Sequence, residues 1–316
     1  MRVGWLGLGA MGAPMAGCLA RAGYPVVAYD IVPGRAAALA ADGIQAADSI
    51  TGAAREAEVV VIMVATPDQL DQVLFGPAGA AGALAPGTVV MIMATVGPEA
   101  VAQAAARLGG SGGTGGGSGG TAGGSGAIGG GSISDGTGVA VVDAPVSGGV
   151  RRAAGGDLLI MVSGADDAVG RVSPLLGVLA SSAPVVGPAA GDGQRMKLVN
   201  QLLCGVHIAA AAEALAFAES LGLDPGDCWR VLRGGAAASF MLEDRGARMI
   251  AGEFAEPRSA LDIFVKDMGL VGAAAEHAGA AAPLTRAVRR LFEQGHERGL
   301  GRLDDSVLIE VLRQDR

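Results

Sequence analysis

The chain has 316 residues, a formal net charge of -8, half of its residues apolar and only 3% aromatic. That length makes two domains the default and leaves ample material for separate cores. The acidic balance and the lack of any Lys/Arg block exclude a nucleic-acid surface, whose affinity comes from neutralising phosphates.

Cys18, Cys204 and Cys228 are odd in number and far apart, which fits free thiols in a reducing cytoplasm. His207, His277 and His296 are scattered with no ligand spacing, so no metal is expected. The first twenty residues superficially imitate a secretory signal, but Gly4, Gly7, Gly9 and Gly12 interrupt any apolar helix there.

Residues 2–6 read as a short apolar strand, followed by Gly7, Leu8, Gly9, Ala10, Met11 and Gly12, a helix over 13–22 and a second strand over 25–29 closed by Asp30. This is a GxGxxG turn between strand and helix, with an acidic residue at the end of the next strand. Gly7 permits the tight turn, Gly9 lets backbone approach a pyrophosphate, and Gly12 lets helix pack on strand, while the helix N-terminus attracts the anion. A carboxylate at Asp30 suits ribose hydroxyls and repels a 2′-phosphate, favouring NAD over NADP; nearby Arg35 softens that preference.

Helices are expected over 35–42, 49–57, 67–74 and 99–108, with strands over 58–65 and 88–93, the former nearly unbroken apolar sequence of the kind buried on both faces of a parallel sheet. The alternation marks a doubly wound α/β domain. Within 109–138, 17 of 30 residues are glycine, a composition that cannot bury enough apolar surface to offset its ordering entropy; the tract is expected to be a flexible, tolerated insertion. A strand over 139–143 leads into Ser147, Gly148 and Gly149, whose adjacent N–H groups and hydroxyl can form a nest for a carboxylate or an ordinary glycine turn. The last strands fall at 157–162 and 183–186, with a helix over 166–179 between them.

Residues 191–221 form the organising element, about seven helical turns with no internal proline. Lys197, Asn200 and Gln201 sit at i, i+3 and i+4, so an ammonium and two amides lead one side, followed by Cys204, Ile208 and Leu215. Lys197, Asn200, Gln201, His207 and Glu213 argue against a membrane span. Beyond this helix only helical patterns remain, at 227–233, 239–251, 259–278, 283–294 and 305–312, giving an all-α domain. The expected organisation is therefore a Rossmann-type domain over 1–190 and a helical domain over 191–316, joined by the long helix.

Four ordered segments carry a resemblance: the Gly7 to Ala16 run, Asp143-Ala-Pro-Val-Ser-Gly-Gly149, Gly193-x-x-x-Lys197-x-x-Asn200-Gln201, and Lys266-Asp267. The chain resembles the β-hydroxyacid dehydrogenases over its whole length except the glycine-rich tract. Residues 203–215, 262–270 and 304–306 look most like the branch that acts on L-threonate.

The resemblance implies Lys197 as the catalytic residue that holds or takes a hydroxyl proton as hydride leaves for a nicotinamide, its basicity tuned by desolvation in an apolar cleft between the domains. It implies Ser147, Gly148, Gly149, Asn200 and Gln201 as substrate-binding residues. Gly7, Leu8, Gly9, Ala10, Met11, Gly12, Asp30, Val64, Ala65, Thr95 and Lys266 would bind the cofactor, and Asp267 would be structural. Where the family commonly has Met-Leu-Pro this chain has Met63-Val64-Ala65, so contacts there rely on backbone; Ala94 replaces a usual Ser, and Cys18 a usual Asn.

His207 lies off the Lys197 stripe and reads as a core histidine, and Ser239 and Phe240 serve equally as pocket caps or helix-start residues. The substrate alternatives are 3-hydroxyisobutyrate and tartronate semialdehyde; the alternative of another class is a non-catalytic dinucleotide-binding module. The apolar long helix predicts a homodimer or homotetramer.

Overall fold

In a computed structural model that describes residues 1–109 and 138–313, the chain forms two compact units, Met1–Lys197 and Leu198–Arg316. Apart from its two end residues, the glycine-rich tract lies outside the described residues.

The first unit runs β1 (Val3–Leu6), α1 (Gly12–Arg21), β2 (Val26–Tyr29), β3 (Ile44–Ala46), α2 (Ile50–Ala54), β4 (Val59–Ile62), α3 (Pro67–Phe75), β5 (Val89–Ile92) and α4 (Pro98–Gly109). After the tract come β6 (Ala140–Asp143), β7 (Val146–Ser147), α5 (Gly149–Ala154), β8 (Leu158–Ile160), β9 (Val162–Ser163), α6 (Asp166–Leu179), β10 (Ala180–Ser182) and β11 (Val185–Gly187). Eight strands make one sheet in the order β11-β9-β6-β5-β4-β1-β2-β3, parallel throughout except where β9 meets β6. β1, β4, β5 and β6 are buried along their whole length, because helices cover both faces, which is why their sequence is apolar without alternation. One face carries the core around Trp5, Met15, Val61 and Met91, the other that around Leu6, Ile62, Leu70 and Ile92. This is the expected doubly wound architecture.

The departures are local and have physical causes. The strand expected over 157–162 is two strands in different sheets, because β8 pairs with β7 and β10 whereas β9 turns to β6 and β11. β8 joins β10 and β7 in a small second sheet. The strand expected over 183–186 is β11, shifted to Val185–Gly187, and the short β10 precedes it in the small sheet. The helix expected over 35–42 is a 3-10 turn over Ala37–Asp42, ended by left-handed Gly43, and β3 follows as an edge strand too short for its periodicity to register.

α7 (Asp192–Ser220, 29 residues) runs across the boundary between the units. By length and composition it could cross a membrane, but half of its most apolar window is buried, and Ile208, Ala212 and Leu215 belong to the core of the second unit. That unit continues α8 (Pro225–Leu232), α9 (Phe240–Ala251), α10 (Leu261–His277), α11 (Pro283–Glu297) and α12 (Leu308–Arg313). Phe264 of α10 stacks on Phe292 of α11 with ring centroids 5.2 Å apart.

A buried charge cluster ties α9 to the turn before α12. Arg245 makes a fork with Asp305, both bonds 3.0 Å, and also reaches Asp244 at 2.8 Å. Arg248 bonds Asp304 and Asp244, while Asp304 caps the turn by accepting from the Ser306 N–H at 3.1 Å and hydroxyl at 2.6 Å. The carboxylates beside Arg245 hold its guanidinium firmly protonated despite burial. Breaking a buried pair strands its partner charge, at about 3–5 kcal/mol. Asp305→Ala is therefore expected to destabilise the second unit by about that amount in denaturant unfolding; a loss within 1 kcal/mol would contradict this account.

Candidate active site

Each glycine of the first turn answers to a local constraint. Gly7 has φ +100, and a Cβ there would stand 2.2 Å from Met63 O; a Cβ on Gly12 would stand 2.1 Å from Gly7 O. A Cβ on Gly9 meets nothing within 4 Å, so that backbone faces open space. α1 begins beside it with no side-chain cap on its first turn, leaving helix N–H groups available to an anion. An open backbone step and an uncapped helix start fit the pyrophosphate of a dinucleotide.

Asp30 follows β2, where its carboxylate accepts from Leu8 N–H at 2.6 Å, Val32 N–H at 2.8 Å and Arg35 Nη1 at 3.3 Å. It thus fastens the glycine turn to the next strand end, and Arg35 is turned toward it. A carboxylate has about four lone-pair sites, so capacity for a further donor remains. After β4, Val64 is half-buried and Ala65 exposed; the Ala65 N–H donates to Gln69 Oε1 at 2.8 Å, which engages the backbone donor there. Thr95 follows β5 and is half-buried. Ser147, Gly148 and Gly149 follow β6, with both glycines at positive φ where α5 begins. Cys18 on α1 contacts Ala153 O and Ala154 O at 3.4 and 3.3 Å, so the residue at this position couples α1 to α5.

The glycine turn, Asp30, the 64–65 segment and Thr95 leave the carboxyl ends of the parallel strands β1, β2, β4 and β5, the side on which open α/β sheets take ligands, and Ser147 ends β7, the short strand that follows β6. Lys197 belongs to the same unit and is buried. Its helix is fixed by a network that the sequence reading missed. Gln194, fully buried, accepts at Oε1 from Val96 N–H (3.0 Å) and Gly97 N–H (3.1 Å), and donates from Nε2 to Ala94 O (3.0 Å) and Asp143 Oδ1 (2.8 Å). Asp143 Oδ2 in turn accepts from the N–H groups of Gly191 (3.1 Å) and Gln194 (2.9 Å) and from Ser163 Oγ at 3.3 Å. Gly193 sits so close that a Cβ would stand 2.6 Å from Met161 O. Gln194 and Asp143 lie inside the quoted motifs, but nothing in their spacing signals that they meet.

Asn200, Gln201 and Lys266 belong to the second unit. Asn200 Nδ2 donates to Gln201 Oε1 at 2.8 Å, and Gln201 Nε2 donates to buried Asp267, which pairs with Lys266 at 2.9 Å. Asp267 therefore ties α10 to α7 and orients Gln201. Lys266, read alone as an exposed helix lysine, is partly buried. His207 is half-buried, and Ser239 caps α9 by accepting from Leu242 N–H at 3.0 Å, with Phe240 exposed. Among the described residues no three His, Cys, Asp or Glu side chains come together as a metal site.

Residues 2–136 and 132–187 match the family described as the NAD binding domain of 6-phosphogluconate dehydrogenase. Residues 191–312 match that described as NAD-binding of NADP-dependent 3-hydroxyisobutyrate dehydrogenase. The chain is similar to an L-threonate dehydrogenase of Cupriavidus necator, 36% identical over 98% of this chain and 95% of the relative. It is also similar to a 2-hydroxy-3-oxopropionate reductase of Escherichia coli, 33% identical over 99% of this chain and 97% of the relative. The crystal structure of a 3-hydroxyisobutyrate dehydrogenase from Salmonella typhimurium superposes with a TM-score of 0.85 at 34% identity, covering 98% of this chain and 99% of that one.

The Asp143 network carries its own pH dependence. Burial pushes the Asp143 carboxyl up to about 6, against the opposing pull of its four donors. A raised carboxyl pKa means that its contribution to stability is full below about pH 4 and is lost as pH rises through about 6. The stability advantage of the wild type over Asp143→Asn is expected to shrink by about 2 kcal/mol between pH 4 and pH 7.5. Denaturant unfolding at the two pH values checks this, and an advantage that grows with pH would overturn it.

Proposed function

We propose that this chain, which belongs to the 3-hydroxyisobutyrate dehydrogenase-related family of β-hydroxyacid dehydrogenases, oxidises a small hydroxy acid with Lys197 as general acid/base. The single observation that carries the reading is the placement of Lys197: buried, on the first turns of α7, in the unit whose strand ends carry the glycine turn, Thr95 and Ser147. We further assign residues 1–190 to cofactor binding and 191–316 to the helical dehydrogenase domain.

When bound, the nicotinamide dinucleotide supplies the acceptor for the hydride that leaves the carbinol carbon. Lys197 takes the hydroxyl proton, so that O–H and C–H bonds break, two electrons depart with the hydride and a carbonyl remains. Asn200 and Gln201 position the hydroxyl and carboxylate; the 147–149 turn offers a hydroxyl and N–H groups to the carboxylate. Gly7, Leu8, Gly9, Ala10, Met11 and Gly12 would hold the pyrophosphate, and Val64, Ala65, Thr95 and Lys266 are the further residues we assign to the cofactor. Asp30 favours NAD over NADP, since a 2′-phosphate would lie against a carboxylate already held in place by two N–H groups.

The substrate we favour is a four-carbon sugar acid such as L-threonate, on the strength of the relative at 36% identity. Tartronate semialdehyde is the second candidate, favoured by the reductase relative at 33%. The three free cysteines suit the cytoplasm. A homodimer or homotetramer is supported by the exposed apolar row Met196, Val199, Leu203 and Phe217 along α7.

Two measurements test these readings. Lys197→Ala is expected to lower kcat by about 100-fold or more on L-threonate with NAD while the Kd for NAD stays within about threefold; turnover near the wild-type value would refute the mechanism. The same assay with 3-hydroxyisobutyrate, D-glycerate and NADP ranks substrates and cofactors. Sedimentation is expected to give a dimer or tetramer, and a strictly monomeric profile would contradict the association.

A further inference from the structure

Gln194 occupies an unusual position for an amide side chain. It is fully buried, and all of its hydrogen-bonding capacity is used: two donors to two carbonyl or carboxylate oxygens, two lone pairs to two backbone N–H groups. The orientation of the amide is unambiguous, because reversing it would set Nε2 against the Val96 and Gly97 N–H groups and Oε1 against Ala94 O and the Asp143 carboxylate.

The partners define what the amide connects. Ala94, Val96 and Gly97 bracket Thr95 in the loop after β5. Asp143 ends β6. Gln194 itself lies in the first turn of α7, three residues before Lys197 and so on the same side of the helix. A single carboxamide therefore spans the Thr95 loop, the end of β6 and the turn that presents the lysine. Asp143 completes the arrangement by accepting from the Gly191 and Gln194 N–H groups, where the α7 dipole favours negative charge.

We propose that Gln194, held by Asp143, is a positioning residue that locks Lys197 in register with the Thr95 loop. The proposal rests on the reading of Lys197 as the general acid/base, and assigns Gln194 no contact with substrate or cofactor. Its action is geometric: a displacement of about 1 Å at a proton-transferring group costs on the order of 100-fold in rate. Asp143 Oδ1 and Ala94 O left without their donor, and the Val96 and Gly97 N–H groups left without their acceptor, would drive such a displacement when the amide is removed.

Two variants and two readouts test it. Amide hydrogen exchange on the cofactor-free protein reads the link directly: in Gln194→Ala, Val96, Gly97 and the α7 turn through Lys197 are expected to exchange about tenfold faster or more, with β1 and β2 unchanged. Steady-state kinetics read its consequence, an expected fall in kcat of about 10- to 100-fold with the Kd for NAD within about threefold. Gln194→Glu keeps an acceptor for Val96 and Gly97 but sets an oxygen against Ala94 O and Asp143 Oδ1; it is expected to keep Val96 and Gly97 protected while loosening the Ala94 contact and the α7 turn, with a smaller fall in kcat. It serves as the working variant if the alanine does not fold. Unchanged exchange at Val96 and Gly97 in the alanine variant overturns the proposal. So does a kcat within twofold of wild type, or a loss of NAD binding as large as the loss of kcat. If wild type oxidises no acid in the panel, the functional reading fails, and the exchange result alone decides whether the lock exists.

Discussion

A carboxylate at the end of a buried strand holds the start of the longest helix. Asp143 sits where the parallel sheet delivers its C-terminal edge, and the α7 N-terminus arrives there with N–H groups that no earlier turn can satisfy. Burying either partner alone would be costly, the one for its desolvated charge and the other for its orphaned donors. Brought together they satisfy each other, and the first turn of α7 is fixed against the sheet edge. Lys197, three residues beyond Gln194, inherits its position from that contact.

The composition of the chain makes such close contacts possible. With few aromatics and many small residues, the first unit packs backbone against backbone: Gly12 against Gly7 O, Gly193 against Met161 O, Gly7 against Met63 O. These approaches leave no room for a Cβ, so they fix the strand-end loops relative to one another without large side chains between them. The site loops are thus borne on short connections to a rigid sheet, the condition for holding reacting groups to within a fraction of an ångström.

Much of this was legible in the sequence. The Gly7, Gly9, Gly12 and Asp30 pattern announced the strand, turn, helix and strand that the structure contains, because each residue type answers to a local constraint: positive φ at Gly7, close approach at Gly12, open space at Gly9. The long helix and the Lys197, Asn200, Gln201 row were legible for the same reason, since helical spacing is local. What escaped depended on contacts distant in sequence. Gln194 meets residues nearly a hundred positions away, and an amide in a helix start reads as solvated until its partners are known. The division at Met161 was invisible because β8 and β9 take their partners, β7 and β6, from other segments. Asp304, Asp305 and Ser306 stood out as a family resemblance, yet their structural role is to pin α9 through buried arginines.

The two units solve the same problem with different chemistry, and the difference follows from what each must hold. In the second unit the forked Arg245 and Asp305 pair joins two charged groups, so removing either partner leaves a full charge in the core. In the first unit a single charge, Asp143, is met only by neutral donors, and burial lifts its pKa to about 6. A carboxamide is satisfied in one orientation only, since its donors and acceptors are different atoms, whereas the guanidinium–carboxylate fork sets its geometry by two parallel N–H···O bonds and adds Coulomb attraction. The directional device stands where helix register decides which way a lysine points. The ionic device stands where the requirement is to keep α9 against a capped turn.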